Sequence, residues 1–86
     1  MKKLYAEFAC YAPNGETDKA VSFDYDHGHY GTGHLSRKWF PKSQLIIGEE
    51  NEVGLRSVLI PKWLLDKNDI DPHRLYDLRF QGYITV

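Results

Sequence analysis

Cysteine is nearly missing from this sequence: among 86 residues there is one, Cys10. A single cysteine excludes a disulfide within the chain, and it also excludes a zinc site made of several thiolate ligands. The residues around Cys10 alternate in the way that is typical of a strand. We therefore interpret Cys10 as a small buried residue of the first strand.

Neither sign of charge dominates the composition. Lysine and arginine together number 11, aspartate and glutamate number 12, and the formal net charge is −1. General binders of polyanions carry a basic excess, so this balance argues against that class of protein. The hydrophobic content of 42% favours a folded globule over disorder, and the length predicts a single domain over residues 1–86.

Long apolar runs are absent as well. The first residues include two lysines, but Glu7 interrupts the apolar run that a signal peptide would need. No stretch of the sequence approaches the length of a membrane span. We therefore expect a cytoplasmic protein, in whatever cell makes it, with no membrane partner.

Recognisable catalytic motifs are missing too. No serine stands in a Gly-x-Ser-x-Gly context, and the glycine-rich segment 28–33 lacks the Lys-Ser or Lys-Thr of a phosphate-binding loop. A late group of titratable residues comprises Asp69, Asp71, His73 and Asp77. Such residues occur more often in charged turns than as an acid–base set. The sequence therefore predicts that the protein is not an enzyme.

Two matching stretches organise the chain, Trp39–Leu45 and Leu59–Leu65. Each has two large apolar residues, then Pro-Lys, then two varied positions and a leucine. Proline lacks an amide hydrogen and fixes φ, so each stretch predicts a strand that ends at its proline. After the second proline, helix-forming residues predict one short helix near 61–67 that stops close to Asn68.

Segments with a period of two, the pattern of a half-buried strand, occur throughout the chain. We predict strands at 3–11, 19–25, 35–40, 45–47, 53–60 and 78–86. In the first strand, the residues on one face are Leu4, Ala6, Phe8 and Cys10. Turn residues at 12–15 predict that the first two strands form a hairpin, and Gly82 predicts a bulge in the last strand.

These elements define the predicted fold class, which is mainly β (α+β). We expect a small antiparallel sheet of about five to six strands, barrel-like or strongly curved, with one short helix near 61–67. Asp71 followed by Pro72 predicts a second, capped helical turn. The predicted core includes Phe8, Ile60, Trp63 and Leu64.

The segment from His27 to His34 contains the densest group of metal-capable side chains. His27, His29 and His34, joined by Asp24 or Asp26, would supply the nitrogen and oxygen ligands of a zinc site. The alternative is an exposed polar loop with solvated histidines, which the three glycines of the segment favour. We therefore expect no cofactor, with zinc as the open alternative.

The basic, aromatic stretch 37–42 is the second candidate site. Cations beside exposed rings are typical of surfaces that bind single-stranded nucleic acid, because cations contact phosphates and rings stack on bases. Alternation places Arg37 and Trp39 on one face of the strand and the next two residues on the other. We predict a binding surface formed by Arg37, Trp39 and Lys42, since Arg and Trp are enriched where binding energy concentrates.

The two proline-containing stretches resemble a loose set of small proteins encoded by bacteriophages and prophages. Those proteins are similar in having a Trp-apolar-Pro-Lys-Ser-Gln strand end and an apolar-Pro-x-Trp-Leu helix start. The likeness covers roughly 17–67 and includes the Lys-Ala-apolar opening within 17–21. This chain departs from the pattern in its histidine loop and in the strand after Leu75. The resemblance implies relatedness rather than an activity, because most of these proteins lack an assigned function.

One function is favoured and two remain as alternatives. The favoured function is non-enzymatic binding to a host or phage protein, for which exposed sheet edges and aromatic side chains are suited. The first alternative is binding of single-stranded nucleic acid by the stretch 37–42. The second is a metal-binding module on the His27–His34 loop.

Overall fold

The computed structural model describes residues 3–10, 15–26 and 35–86. Within these ranges there are seven strands, one α-helix and two short 3₁₀ helices. The strands are β1 (Leu4–Cys10), β2 (Gly15–Glu16), β3 (Ala20–Asp26), β4 (Leu35–Pro41), β5 (Ile46–Ile47), β6 (Arg56–Pro61) and β7 (Arg79–Thr85). Helix α1 is Lys62–Lys67, and the 3₁₀ helices are Lys42–Gln44 and Pro72–Arg74.

The described strands form two antiparallel sheets. One has the order β5-β6-β1-β7, and the other has the order β2-β3-β4. The predicted mainly β class with one short helix is confirmed. The predicted single barrel-like sheet of five to six strands is wrong, because the seven strands divide between two sheets that do not close into a barrel.

The expected hairpin between the first two long strands is also wrong. Strand β1 pairs with β6 and β7, whereas β3 pairs with β2 and β4. The reason is the turn after β2: the Thr17 hydroxyl accepts a hydrogen bond of 3.0 Å from the Ala20 amide, and the Thr17 amide donates to the Ala20 carbonyl. This turn folds β3 back on β2, so β1 is left to form the centre of the other sheet.

The core lies where the two sheets face each other. Its largest fully buried side chains include Phe8 of β1, Phe23 of β3, Phe40 of β4 and Ile60 of β6. Cys10 is buried, as predicted, but Leu4 is 42% exposed although it continues the same alternation. Tyr5, on the other face of the strand, is buried as well, so alternation identifies the buried face of β1 only from Ala6 onward.

Helix α1 begins directly after Pro61 and ends at Lys67, next to Asn68, as predicted. Leu64 and Leu65 face the core, whereas Trp63 is 50% exposed. The prediction that Trp63 belongs to the core is wrong. In so short a helix only one side can be buried, and Trp63 lies one turn from Lys67, whose charge remains in water.

The segment after α1 ties the two sheets together. Asp71 accepts a hydrogen bond from the His73 amide, so the predicted cap before Pro72 is confirmed. The Asp71 amide donates to the Tyr25 hydroxyl at 3.0 Å, and the Tyr76 amide donates to the Asp24 carbonyl at 2.8 Å. These bonds fix the segment against β3 before the chain enters β7.

Strand β7 contains the predicted bulge. Glu7 lies opposite Gly82, but Phe8 lies opposite Phe80, so Gln81 has no partner on β1. Gly82 has φ of +120°, a conformation that residues with a side chain rarely adopt.

Candidate binding face of the three-stranded sheet

Strand β4 exposes one set of side chains and buries the other. Phe40 is buried and contacts Phe23, with ring centroids 6.0 Å apart, whereas Trp39 is 48% exposed. Arg37 and Leu35 are exposed on the same face as Trp39, because alternate residues of a strand share a face. The predicted placement of Arg37 with Trp39, opposite Phe40, is confirmed.

The Trp39 ring lies across the outer face of the sheet. Ser22 is directly opposite Trp39 in the strand pairing, and Gly15 is directly opposite Ser22. A Cβ atom placed on Gly15 would be 3.4 Å from Cη2 of Trp39, so the ring reaches the third strand. Ser22 has no exposed surface even though it faces away from the core, which places it under this ring. We call Leu35, Arg37 and Trp39, with Gly15 and Ser22, the Trp39 face.

Arg37 is the basic residue of the Trp39 face. Asp24 of β3 lies directly opposite Arg37 and is half-buried. The Asp24 amide donates a hydrogen bond of 2.8 Å to Oδ2 of Asp77. The ion pairs among the described residues do not include Arg37. Within this part of the chain, its guanidinium is therefore presented to solvent beside the Trp39 ring.

Lys42, the third residue of the predicted surface, is held elsewhere. Its ammonium donates to Oε2 of Glu16 at 2.5 Å. This hydrogen bond lowers the pKa of the Glu16 carboxyl below its ordinary value, and the attraction between the two charges acts in the same direction. Glu16 follows Gly15 in β2, so its side chain leaves the opposite face of the sheet. The structure brings Arg37 and Trp39 together and does not bring Lys42 to them.

Lys38 is engaged as well. Its ammonium lies 5.8 Å from the centroid of the Tyr25 ring, at the distance of a cation–π contact. Tyr25 is buried, and its hydroxyl accepts a hydrogen bond from the segment after α1. The basic stretch therefore offers one unpaired cation, Arg37, within the residues that the structure describes.

The three histidines of the zinc alternative, His27, His29 and His34, lie outside the described residues. Among the residues with described positions, no group of three or more histidine, cysteine, aspartate or glutamate side chains could hold a metal ion. The zinc alternative therefore stays an untested prediction.

One further concave surface was not expected from the sequence. A cleft of about 480 Å³ lies between the segment after α1 and strand β7, and its polar lining residues are His73, Tyr76, Asp77 and Arg79. His73 contacts the Phe80 ring edge-on, with centroids 4.8 Å apart, and Asp77 is bonded to the β3 backbone. Both side chains therefore have structural contacts. No local signal could reveal the cleft, because it depends on how β7 packs.

Comparisons with known proteins found no match for this sequence. No protein-family model matches the sequence, and neither the curated proteins nor the solved structures gave a match. None of the helices in the described ranges combines the length and apolar character needed to cross a membrane.

Proposed function

We propose that this protein is a small non-enzymatic binding protein that holds a protein partner on its Trp39 face. The observation that carries this proposal is the half-exposed Trp39 ring lying across Ser22 and Gly15. A large ring that is already fixed in place loses little conformational entropy on binding, and tryptophan is the residue type most often found at binding hot spots.

The neighbours of Trp39 define the chemistry of the partner. Arg37 offers a planar guanidinium that binds carboxylates in a bidentate manner, and exposed Leu35 adds apolar area. A partner surface with an acidic side chain beside an apolar patch would complement all three residues. The resemblance to phage-encoded proteins supports a host or phage protein as that partner.

Single-stranded nucleic acid is the less favoured ligand for this face. A nucleic acid needs several cations along its path, because each neutralised phosphate contributes to affinity. Lys42 is paired with Glu16, and Lys38 lies over Tyr25, which leaves Arg37 as the cation beside the ring. One cation outside the ion pairs of the described residues is better suited to orienting a protein partner than to following a phosphate backbone.

The test is capture of a partner from extracts of the cell in which the protein is made, followed by mass spectrometry. We expect Trp39→Ala and Arg37→Glu each to lose the captured protein, and Trp63→Ala, which alters the other exposed tryptophan, to retain it. Affinity for the purified partner should fall only modestly with salt, whereas binding to single-stranded DNA would fall by orders of magnitude.

Two results would contradict the proposal. Capture that survives both Trp39→Ala and Arg37→Glu would place the site elsewhere, with the His27–His34 loop as the next segment to alter. Steeply salt-dependent binding to a single-stranded oligonucleotide, lost in Arg37→Glu, would replace the protein partner with nucleic acid.

A further inference from the structure

Strand β7 forms one edge of the four-stranded sheet, with β1 on its inner side. Beyond the strand end, Lys3 and Val86 exchange two backbone hydrogen bonds, of 2.9 and 2.8 Å. Bonding alternates along antiparallel strands, so the backbone groups of Ile84 also point toward β1, while those of Tyr83 and Thr85 point away. In the described part of the chain, no strand pairs with this outer side.

The other sheet edges carry features that discourage pairing. Strands β2 and β5 have two residues each, and β4 carries Arg37 and Lys38 and ends at Pro41. Short length, charge and proline are the means by which natural edge strands avoid association. Strand β7 has seven residues and no charged side chain after Arg79.

We propose that β7 pairs with β7 of a second copy of this chain, antiparallel and across a two-fold axis. In this arrangement Tyr83 lies opposite Thr85 of the second copy, and the two Ile84 residues face each other at the axis. The two four-stranded sheets thereby become one sheet of eight strands, counted as twice the order β5-β6-β1-β7.

The backbone selects this register. Tyr83 and Thr85 are the positions whose amide and carbonyl groups point outward, and pairing them reciprocally satisfies the groups of both residues in both copies. The bulge at Gln81–Gly82 interrupts the regular spacing of these groups, so pairing stops there. Tyr83 is 45% exposed, and its aromatic ring beside a threonine is a favourable cross-strand neighbour.

Charge favours a second copy over a foreign segment. The one charged residue of β7, Arg79, lies five positions from Ile84 (84 − 79), so the two arginines of a dimer would be about 33 Å apart. The net charge of −1 adds little repulsion between copies. The part of β7 after Arg79 has no charge with which to select a charged foreign peptide, whereas two identical strands match across a two-fold axis.

The dimer should be weak. Pairing confined to Gly82–Val86 buries much less surface than the roughly 1,200 Å² at which stable interfaces begin. We therefore expect association in the micromolar range or weaker, visible as a mass that rises with concentration.

The test is sedimentation velocity from about 10 μM to about 1 mM, a range that spans weak association. The wild type should shift from monomer toward dimer, whereas Ile84→Lys and Ile84→Glu should each stay monomeric because two like charges would meet at the axis. An equimolar mixture of the two variants should associate again. The control is Ile46→Lys, which alters an exposed isoleucine on the same face at the opposite edge and should behave as the wild type.

A wild type that remains monomeric throughout, or dimers that persist in Ile84→Lys, would overturn the proposal, and so would a charge-matched mixture that fails to associate. If the Ile84 variants do not fold, Thr85→Pro decides, since it removes an outward N–H and leaves the pairing with β1 intact. Reduced association in Thr85→Pro supports the proposal, and unchanged association overturns it.

Discussion

The three basic residues in β4 and directly after it differ in the contacts that their side chains make. Lys42 is paired with Glu16, Lys38 rests over the Tyr25 ring, and Arg37 is unpaired within the described residues. Three cations that are close in sequence therefore carry out three different roles. Their number in the sequence overstates the positive charge that a ligand of the Trp39 face would meet.

The Glu16–Lys42 pair leads to a prediction about pH. The pKa of Glu16 is lower in the folded protein than its ordinary value of 4.5, so the carboxylate stabilises the folded state above that pH. This stabilisation is lost as pH falls through the lowered, folded-state pKa. We expect the melting temperature of the wild type to exceed that of Glu16→Gln by a small, constant amount above about pH 4.5, and the difference to vanish in stronger acid.

Melting curves followed by circular dichroism across the acid range measure this difference. Asp18→Asn, which alters an exposed carboxylate two residues away, is the control for loss of a negative charge. A wild-type advantage that persists undiminished in strong acid would show that Glu16 stabilises the fold by means other than its charge.

Among the elements, the segment between α1 and β7 connects the two sheets through polar contacts. The Asp77 carboxylate accepts from the Asp24 amide, and a single bridge joins Leu75 to Tyr25. The segment therefore continues the sheet along the part of β3 that β2 is too short to cover.

Removing the Asp77 carboxylate should weaken this connection. Asp77→Ala removes the carboxylate that accepts from the Asp24 amide, and losing a hydrogen bond to a charged group costs about 1.5–3 kcal/mol. Asp77→Asn keeps an oxygen in the same place and should lose less. Urea unfolding measures both, and equal losses in the two variants would show that charge, rather than the hydrogen bond, is what matters.

For the molecule as a whole, stability depends on a small core between two open sheets. Phe8 is fully buried on β1 and contacts Phe80, with ring centroids 5.5 Å apart. Phe8→Ala should cost about 3–5 kcal/mol, a large share of the stability of so short a chain. Trp63→Ala removes a half-exposed ring and should cost clearly less, because only about half of that ring is buried.

Denaturant unfolding of the two variants side by side tests where the core lies. A loss in Trp63→Ala as large as that in Phe8→Ala would show that Trp63 contributes to the core despite its exposure. Retention of wild-type stability in Phe8→Ala would contradict the position of the core between the sheets.

Local features of the fold were predictable from the sequence, and distant pairings were not. The alternation of Trp39 and Phe40, the Asp71 cap and the Gly82 bulge each depend on a few adjacent residues. The pairing of β1 with β6 and β7 depends on partners more than 40 residues away in sequence, and a period of two does not specify the partner.

The same difference between local features and distant pairings applies to the candidate site. Arg37 and Trp39 share a face because they are two residues apart, which the sequence alone indicates. The attachment of Lys42 to Glu16 spans 26 residues and depends on the pairing of three strands, so no local pattern could reveal it. The sequence does not show that Trp63 is exposed, because a six-residue helix is too short for its periodicity to identify the buried side.

The position of the Trp39 ring over Ser22 and Gly15 also limits which residues a related sequence could carry there. A side chain added at Gly15 would meet the Ser22 hydroxyl at 2.7 Å and the Trp39 ring at 3.4 Å, so the two strands beneath the ring must carry small residues. Any homologue that keeps an aromatic residue at position 39 should therefore keep small residues at positions 15 and 22. These three positions, separated by 7 and 17 residues (22 − 15 and 39 − 22), should therefore change together in any homologue.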